Sequence, residues 1–242
     1  MSALGLGLGL GLSGAQVSAQ TGAAKLLGAA ASGWFMDFRD NSMVVRDPVT
    51  PANNYEGAPA GKVAGTALRL ESVGGVQGLL CEASDAYYLP ASLFGYSAAE
   101  FSLIAKASMK DAANVNCVIA ALNSSGTFTG GSGALLRLNS QWAVSAGGNT
   151  TAVSQAISPE LATNEPVICG AACRDSDNKC AVSHRGLAPA TIATLDWTGG
   201  SNRVQLGALT GSGGQPLRGH IYWLGYVPVY DETWIRTTPD GG

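Results

Sequence analysis

Residues 101–109 read Phe-Ser-Leu-Ile-Ala-Lys-Ala-Ser-Met, and apolar side chains occupy every second position. These alternating positions are Phe101, Leu103, Ala105, Ala107 and Met109. Successive side chains of a β-strand point to opposite faces, so this spacing places all five on one face of a strand. The segment therefore predicts a strand whose apolar face packs on a core.

Shorter segments of the same kind lie on both sides of this strand. We predict further strands at 33–38, 67–71, 115–122, 134–138, 141–145, 167–173, 180–185, 203–207 and 219–227. Clusters of Gly, Ser and Asn separate many of them, and these residue types favour tight turns. About ten short strands at near-regular spacing predict an all-β sandwich or barrel.

The composition agrees with short elements joined by turns. The 242 residues include 33 Gly and 10 Pro. Only 13% are charged, against about 25% in an ordinary domain, which excludes a highly charged disordered chain. The formal net charge of −3, without a run of Lys or Arg, argues against nucleic-acid binding. No long apolar stretch occurs, so membrane insertion is not expected.

The N-terminal residues form a segment of their own. Leucine alternates with glycine there, which places five leucines on one face of an extended chain: Leu4, Leu6, Leu8, Leu10 and Leu12. Glycine has the most backbone freedom to lose, so we expect order only when other chains hold the segment. We predict an anchoring arm over 1–28 and a β-sandwich over 29–242. A disordered end and a cleaved secretory signal stay open as alternatives.

Four residues have a spacing that resembles a zinc motif: Cys169-x3-Cys173-x6-Cys180-x3-His184. The polar residues between them predict a hairpin in which Cys173 faces Cys180 and Cys169 faces His184. The two pairs then lie roughly 13 Å apart, at about 3.3 Å per residue, which is too far for one tetrahedral ion. We predict no metal site. Cys173 and Cys180 form either a cross-strand disulfide or two buried thiols, and the odd total of five cysteines fits a reducing cytoplasm.

Catalytic motifs are missing from the sequence. It has only two histidines, His184 and His220, and Ser183 beside the first points to the opposite face of a strand. We find no carboxylate pair with strand spacing, no nucleophile elbow and no phosphate-binding glycine loop. We predict a protein that is not an enzyme and uses no cofactor.

Aromatic residues near turns are the candidates for sugar binding. Tyr87 and Tyr88 lie in a loop-like segment, and Trp142 follows a turn. Aromatic faces with a few polar partners suit concave binding sites, although aromatic side chains also fill sandwich cores. Consecutive residues point to opposite faces, so the tyrosine pair should expose at least one ring. We predict Tyr87, Tyr88 and Trp142 as ligand-binding residues.

The C-terminal half carries a more specific pattern. Residues 217–228 read Leu-Arg-Gly-His-Ile-Tyr-Trp-Leu-Gly-Tyr-Val-Pro, after a hairpin with a polar turn and an Arg-Val-Gln-Leu-Gly segment at 203–207. This order resembles the concanavalin A-like (laminin G-like) jelly-roll domains of bacteriophage tail-fibre and other virion proteins. In that family a strand of the type L-x-G-H-I-x-x-L-x-Y-x-P closes the sandwich. The chain departs from the family at 229–235, and it lacks the acidic catalytic motif of the glucanase relatives.

The resemblance implies an antiparallel two-sheet jelly roll and a structural phage protein located in the virion, made in the host cytoplasm. Such a protein would serve as a tail fibre, spike or capsid decoration and bind a glycan receptor on the host surface. Its arm would contact other virion proteins, and it would form a homo-oligomer, with trimers common among such appendages. The alternative is a secreted or periplasmic carbohydrate-binding protein without catalytic activity. The virion location, the copy number and the sugar are not fixed by the sequence.

Overall fold

The computed structural model describes residues 21–30, 32–90, 99–111, 117–123, 135–139, 143–147, 152–194, 203–209 and 215–236. Within them the chain forms one short α-helix, α1 (Gly22–Leu27), and seventeen strands, β1 to β17. The strands form a ten-stranded and a seven-stranded sheet, and residues of both sheets meet in one hydrophobic core. In this part of the chain, no helix has the length and apolar character needed to cross a membrane.

The ten-stranded sheet contains the longest strands. Its members are β1 (Gly33–Asp37), β2 (Ser42–Arg46), β3 (Tyr55–Gly57), β5 (Leu70–Val73), β6 (Val76–Cys81), β8 (Glu100–Met109), β13 (Val167–Arg174), β14 (Lys179–His184), β15 (Ala190–Ile192) and β17 (Gly219–Val227). The main path runs β15-β14-β13-β8-β17-β1-β2-β3, and β6 pairs with both β17 and β5. All of these pairs are antiparallel.

The seven-stranded sheet is assembled from the remaining strands. Its members are β4 (Ala64–Gly65), β7 (Tyr87–Pro90), β9 (Cys117–Asn123), β10 (Leu135–Asn139), β11 (Ala143–Gly147), β12 (Ala152–Ala156) and β16 (Arg203–Leu206). Their order is β12-β11-β10-β9-β16-β7-β4, again with antiparallel pairing. Strands distant in the sequence, β7 and β16, are therefore neighbours.

The strand predicted at 101–109 is β8, which lies near the middle of the ten-stranded sheet. Its odd-numbered residues belong to the core between the sheets, as the alternation predicts. The opposite face of β8 is buried as well, because α1 and the segment that contains Val229 and Trp234 cover it. Ile104 packs in a second cluster with Ala23 and Leu27 of α1. The hydroxyl of Ser102 donates a 2.8 Å hydrogen bond to the carbonyl of Val229.

Stacked aromatic rings join three neighbouring strands of the core. The Tyr226 ring lies 5.7 Å from the Trp34 ring and 6.2 Å from the Phe101 ring, centroid to centroid, with interplanar angles of 9° and 14°. These separations are within the range in which aromatic pairs attract beyond simple burial. The stack thereby links β1, β17 and β8.

A β-bulge in β17 changes which side chains face the core. The pairing of β17 with β8 shifts register between Ile221 and Trp223. A bulge sets two residues of one strand against one of its partner, so the alternation of faces is interrupted there. Ile221 and Leu224 face the core between the sheets, whereas Tyr222 and Trp223 both pack in the cluster beneath α1. Two large aromatic residues thus cover the outer side of the ten-stranded sheet.

The structure confirms the predicted fold class, an all-β antiparallel two-sheet sandwich of jelly-roll type. Several strands lie outside the predicted ranges, among them β2, β6 and β12, and 87–90 is a strand and not a loop. Residues 22–27, within the segment predicted as an arm, form a helix that packs on the sandwich. Leu4, Leu6, Leu8, Leu10 and Leu12 lie outside the described residues.

The predicted cysteine hairpin is confirmed. Cys173 pairs with Cys180, and Cys169 pairs with His184. The Sγ atoms of Cys173 and Cys180 lie 2.9 Å apart as free thiols, and all five cysteines are buried. Burial raises the pKa of the Cys169 thiol to about 12 and that of Cys117 to about 11. Since the thiolate is the reactive form, the folded protein holds its cysteines in an inert state.

We therefore expect the folded protein to show no fast reaction with a thiol reagent such as Ellman's reagent at pH 8. In denaturant without reductant, all five thiols should react. A count of three in the denatured protein, five less one bonded pair, would mean that Cys173 and Cys180 had been oxidised to a disulfide. Rapid labelling of the folded protein would contradict the observed burial.

Candidate functional site

The seven-stranded sheet has one face toward the core and one turned away from it, which we call the outer face. On β7, Tyr87 and Leu89 belong to the core. Side chains alternate along a strand, so Tyr88 projects from the outer face. Its ring is partly exposed.

The neighbouring strand β16 presents two polar residues on the same outer face. Val204 and Leu206 belong to the core, so Arg203 and Gln205 project the other way. The register places Gln205 directly opposite Tyr88. Arg203, two residues earlier on β16, is then a diagonal neighbour of that tyrosine, within reach of long and aromatic side chains.

Tyr88 and Arg203 form a cation–π pair. The guanidinium carbon of Arg203 lies 4.6 Å from the centroid of the Tyr88 ring. Such a pair contributes about 0.5–1 kcal/mol at an exposed site, and it also holds the ring and the cation in a fixed relative position. The outer face therefore carries a positioned aromatic surface beside a permanent positive charge.

Gln205 is the unusual member of this group. Its side chain is fully buried, and neither its amide nitrogen nor its amide oxygen has a hydrogen-bond partner among the described residues. An unpaired buried polar group costs about 1–3 kcal/mol. Because the side chain has no exposed surface, a polar ligand pairs with this amide only when the groups that cover it move aside.

The charge of the outer face differs from that of the whole chain. The described strands of the seven-stranded sheet contain two arginines, Arg137 and Arg203, and no Asp, Glu or Lys. Arg137 Nε donates a 2.6 Å hydrogen bond to the hydroxyl of Ser145. Burial lowers the pKa of Arg137, yet a guanidinium remains charged at neutral pH. The sheet is thus locally positive in a chain of net charge −3.

The three residues Tyr88, Arg203 and Gln205, which we call the outer-face triad, combine complementary chemistry. An aromatic ring packs on the apolar side of a ring-shaped ligand, a guanidinium binds a carboxylate with two parallel hydrogen bonds, and an amide both donates and accepts. This combination suits a ligand that is polyhydroxylated and anionic.

The structure separates the residues predicted as ligand-binding. Contrary to the prediction, Tyr87 is not accessible to a ligand. It is fully buried in the core, where its hydroxyl donates to the carbonyl of Leu80 at 3.2 Å. Its partner Tyr88 lies on the outer face, as the alternation of side chains requires. Trp142 lies outside the described residues.

Sequence reasoning missed Arg203 and Gln205. The signal was present as the alternation of polar and apolar residues in Arg203-Val204-Gln205-Leu206, which marks the first and third residues as outward-facing. Their importance depends on the pairing of β16 with β7, and the sequence does not reveal that pairing.

The Cys/His hairpin has no features of a metal site. His184 Nε2 lies 2.8 Å from the carbonyl oxygen of Ala156, so this nitrogen carries the proton and donates. Burial lowers the pKa of His184. Over the described ranges, no group of three or more His, Cys, Asp or Glu residues is placed to hold a metal ion.

A second titratable cluster lies on the ten-stranded sheet. Glu71 accepts hydrogen bonds from Lys110 Nζ at 2.7 Å and from His220 Nε2 at 2.6 Å. These two bonds, that of Lys110 first, lower the pKa of Glu71 to about 2. The Ser108 hydroxyl lies 3.1 Å from the Tyr222 hydroxyl, and His220 Nδ1 has no partner among the described residues. The cluster is an ion-pair network that links β5 to β17. Among its described members, no hydroxyl group is hydrogen-bonded to the His220 imidazole, so it contains no nucleophile paired with a base.

No family model matches the sequence, and the search of curated proteins returned no match. The fold is similar to solved structures at low identity. Trypanosoma rangeli sialidase superposes with a TM-score of 0.55 and 12% identity, over 85% of this chain and 32% of that chain. The binding domain of botulinum neurotoxin DC in complex with SialylT gives 0.54 and 10%, over 85% and 50%. The Ruminococcus gnavus IT-sialidase CBM40 bound to α2,3 sialyllactose gives 0.45 and 13%, over 57% and 80%.

At 10–12% identity, the superpositions on the sialidase and on the neurotoxin domain show a shared β-sandwich fold alone. The chain spans about a third of the sialidase and half of the neurotoxin chain that it matches.

Proposed function

We propose that this chain is a non-catalytic glycan-binding protein and that its outer-face triad recognises an acidic sugar. The observation that carries the proposal is the Tyr88–Arg203 pair, a partly exposed aromatic ring held 4.6 Å from a guanidinium, with the amide of Gln205 opposite Tyr88 on the same face and unpaired among the described residues. A sugar offers hydroxyl groups that both donate and accept, so a sugar that displaces the groups covering Gln205 pairs its amide.

The positive charge of the outer face favours a carboxylated sugar over a neutral one. Arg203 is already held beside the Tyr88 ring, so a carboxylate binds without ordering a long flexible side chain. A sialyl ligand is the first probe that we would choose, since the neurotoxin binding domain of similar fold is in complex with SialylT.

Binding without hydrolysis is supported by the residues available on this face. Most glycosidases use two carboxylates on either side of the scissile bond. The described strands of the seven-stranded sheet supply no Asp or Glu. A sugar held at the outer-face triad therefore meets a cation, a ring and an amide rather than an acid and a nucleophile.

We further propose that the protein is displayed on a phage particle, as a tail fibre, spike or capsid decoration, through its N-terminal arm. The support is the C-terminal resemblance at 217–228 and the Leu/Gly alternation at 4–12. Several copies on one particle would convert weak single-site binding into firm attachment, because later contacts form at high effective concentration. Mass spectrometry of purified particles tests the location, and a mature N-terminus at Gln20 would support the secreted alternative instead.

Replacing Arg203 with alanine is expected to weaken binding of a sialylated glycan by about ten- to a hundredfold, the equivalent of about 1.5–3 kcal/mol for hydrogen bonds to a charged group. The asialo form of the same glycan should bind weakly to the wild type and lose little in the variant. Isothermal titration calorimetry with a sialylated oligosaccharide and its asialo form makes the measurement.

The matched control is Arg174→Ala. Arg174 Cζ also lies 4.6 Å from a tyrosine ring, that of Tyr230, but it belongs to the ten-stranded sheet. This variant should bind the sialylated glycan like the wild type. Equal losses of affinity in Arg203→Ala and Arg174→Ala would overturn the assignment of the triad. Equal affinities of the wild type for the sialylated and the asialo glycan would overturn it as well.

A further inference from the structure

Arg137 is isolated from the other charged residues of the chain. It is the one charged residue between Asp111 and Glu160, and this stretch of sequence contains strands β9 to β12 of the seven-stranded sheet. Arg137 donates a hydrogen bond from Nε to the hydroxyl of Ser145, and it pairs with no carboxylate among the described residues. The sheet therefore holds a cation that has no counterion in the described part of the chain.

The position of Arg137 in the sheet is defined by its neighbours. Leu136 and Leu138 belong to the core, so Arg137 projects from the outer face, where it is only partly buried. Ser145 of β11 lies directly opposite it on one side, and Val118 of β9 on the other. Both of these neighbours are buried. The guanidinium thus lies between an apolar residue and a hydroxyl group.

The surroundings of Arg137 differ from those of a paired arginine. Arg174 donates to both carboxylate oxygens of Asp177, at 3.0 and 2.7 Å, and this interaction raises its pKa. Burial lowers the pKa of Arg137, and no carboxylate opposes that change. A charged group that loses water usually gains a partner of opposite charge in return. Arg137 has lost part of its water without that gain, which favours an anion from solution.

The hydrogen bond to Ser145 also directs the guanidinium. With Nε held on the hydroxyl, Nη1 and Nη2 keep their N–H donors, and none of these donors has a partner among the described residues. Two parallel N–H groups of this kind bind two oxygens of a carboxylate or a sulfate. Because Ser145 accepts a hydrogen bond from Nε, its own proton remains available to donate.

We infer that Arg137 and Ser145 form a second anion-binding site, which takes a carboxylate or sulfate group and which we call the Arg137 site. The group belongs either to an acidic residue of a sugar chain or to a free ion, since both present the same oxygen atoms to a guanidinium. The site goes beyond the outer-face triad, because a ligand held there needs neither the aromatic ring nor the amide of the triad.

The Arg137 site is separate from the triad. Strand β10, which carries Arg137, lies two strands from β16, which carries Arg203, or about 10 Å across the sheet. On β9 between them, the partners of the two arginines are Val118 and Asn123, about 16 Å apart along the strand. The Arg203 guanidinium lies over the ring of Tyr88 on β7, on the side away from β10. One anion therefore does not reach both arginines, and either proposal can fail without the other.

NMR of the arginine Nε–Hε groups in the full chain tests the inference, with sodium sulfate as the first probe. The Arg137 signal, assigned by its loss in Arg137→Gln, should shift and saturate with sulfate but not with sodium chloride of equal ionic strength. A heparin-derived hexasaccharide, which carries sulfate and carboxylate groups, is the second probe. Tighter binding of the hexasaccharide than of sulfate identifies a sugar chain as the source of the anion, and equal affinity identifies a free ion.

A substitution at Ser154 provides the matched pair of variants. Ser154 is exposed on β12, opposite Ser145, so a side chain added there borders the Arg137 site without belonging to the core. Ser154→Glu supplies the missing carboxylate and should weaken sulfate binding at Arg137 by about tenfold or more. Ser154→Gln, of equal length but uncharged, should bind sulfate like the wild type.

Three results would overturn the inference. The first is a wild-type Arg137 signal that does not saturate with sulfate, and the second is equal sulfate affinity in Ser154→Glu and Ser154→Gln. The third is a shift of the Arg137 signal that disappears in Arg203→Ala, because it would mean that the triad and the Arg137 site are one. The backbone amide spectrum of each variant checks that it is folded.

Discussion

Replacing Trp34 with alanine is expected to lower the free energy of unfolding by about 3–5 kcal/mol, the usual loss for a large aromatic side chain in a core. Trp34 is fully buried on β1, between β2 and β17, and its ring stacks on Tyr226 at 5.7 Å. The alanine variant loses this contact area and leaves a cavity between the sheets. It also removes one end of the aromatic stack that joins β1, β17 and β8.

Chemical denaturation followed by tryptophan fluorescence and circular dichroism measures the change. The control is Leu187→Ala, since Leu187 is 50% exposed and its truncation should stay within about 0.5 kcal/mol of the wild type. A loss below about 1 kcal/mol for Trp34→Ala would contradict the packing described for β1, because it would mean that the site collapses without cost.

The second large effect is expected at Gly65 on β4. Its φ of +97° is a conformation that side chains rarely adopt, and a Cβ there would meet the backbone carbonyl of Ala86 and lie 3.1 Å from Cε1 of Tyr88. The Ala86 carbonyl accepts a 3.1 Å hydrogen bond from the N–H of Thr66, and the Tyr88 ring is held by Arg203, so neither moves freely. Gly65→Ala is therefore expected to cost about 2–4 kcal/mol, combining backbone strain with overpacking.

Gly75 provides the matched control, because its φ of +83° is similar while a Cβ there meets nothing within 4 Å. Gly75→Ala should show the backbone strain alone, about 1–2 kcal/mol. The difference between the two variants in denaturant titrations isolates the clash with Ala86 and Tyr88. Equal losses would show that β4 moves aside without resistance. Because the Tyr88 ring belongs to the outer-face triad, Gly65→Ala should also weaken glycan binding.

The strands that the sequence predicted best are those with one clear buried face. The alternation at 101–109 corresponds to β8 almost residue for residue, and the hairpin register of Cys173 with Cys180 followed from the polar turn between them. In contrast, β7 looked like a loop because Asp85 precedes it and Pro90 ends it. A proline is tolerated at the end of a strand, and β7 is short enough that its alternation gave little signal.

The bulge in β17 illustrates a limit of pattern reading. Tyr222 and Trp223 lie on the same side of the sheet, which no strict period of two can predict. The candidate site shows another limit. Tyr88 could be selected from its local pattern, whereas Arg203 and Gln205 became candidates only when the structure placed β16 beside β7. Pairing between distant strands depends on tertiary packing that a single sequence does not display.

The unsatisfied amide of Gln205 has a consequence for discrimination between ligands. A molecule that stacks on Tyr88 but offers no hydrogen-bonding groups at this position leaves the amide as unpaired as before, and gains nothing from it. A molecule with one donor and one acceptor at the right spacing recovers up to about 1–3 kcal/mol that the free protein forgoes. Selectivity would then arise chiefly from the hydrogen bonds that a ligand makes to the Gln205 amide. Ligands would be ranked by how completely they pair its donor and acceptor rather than by how much of their surface packs on Tyr88.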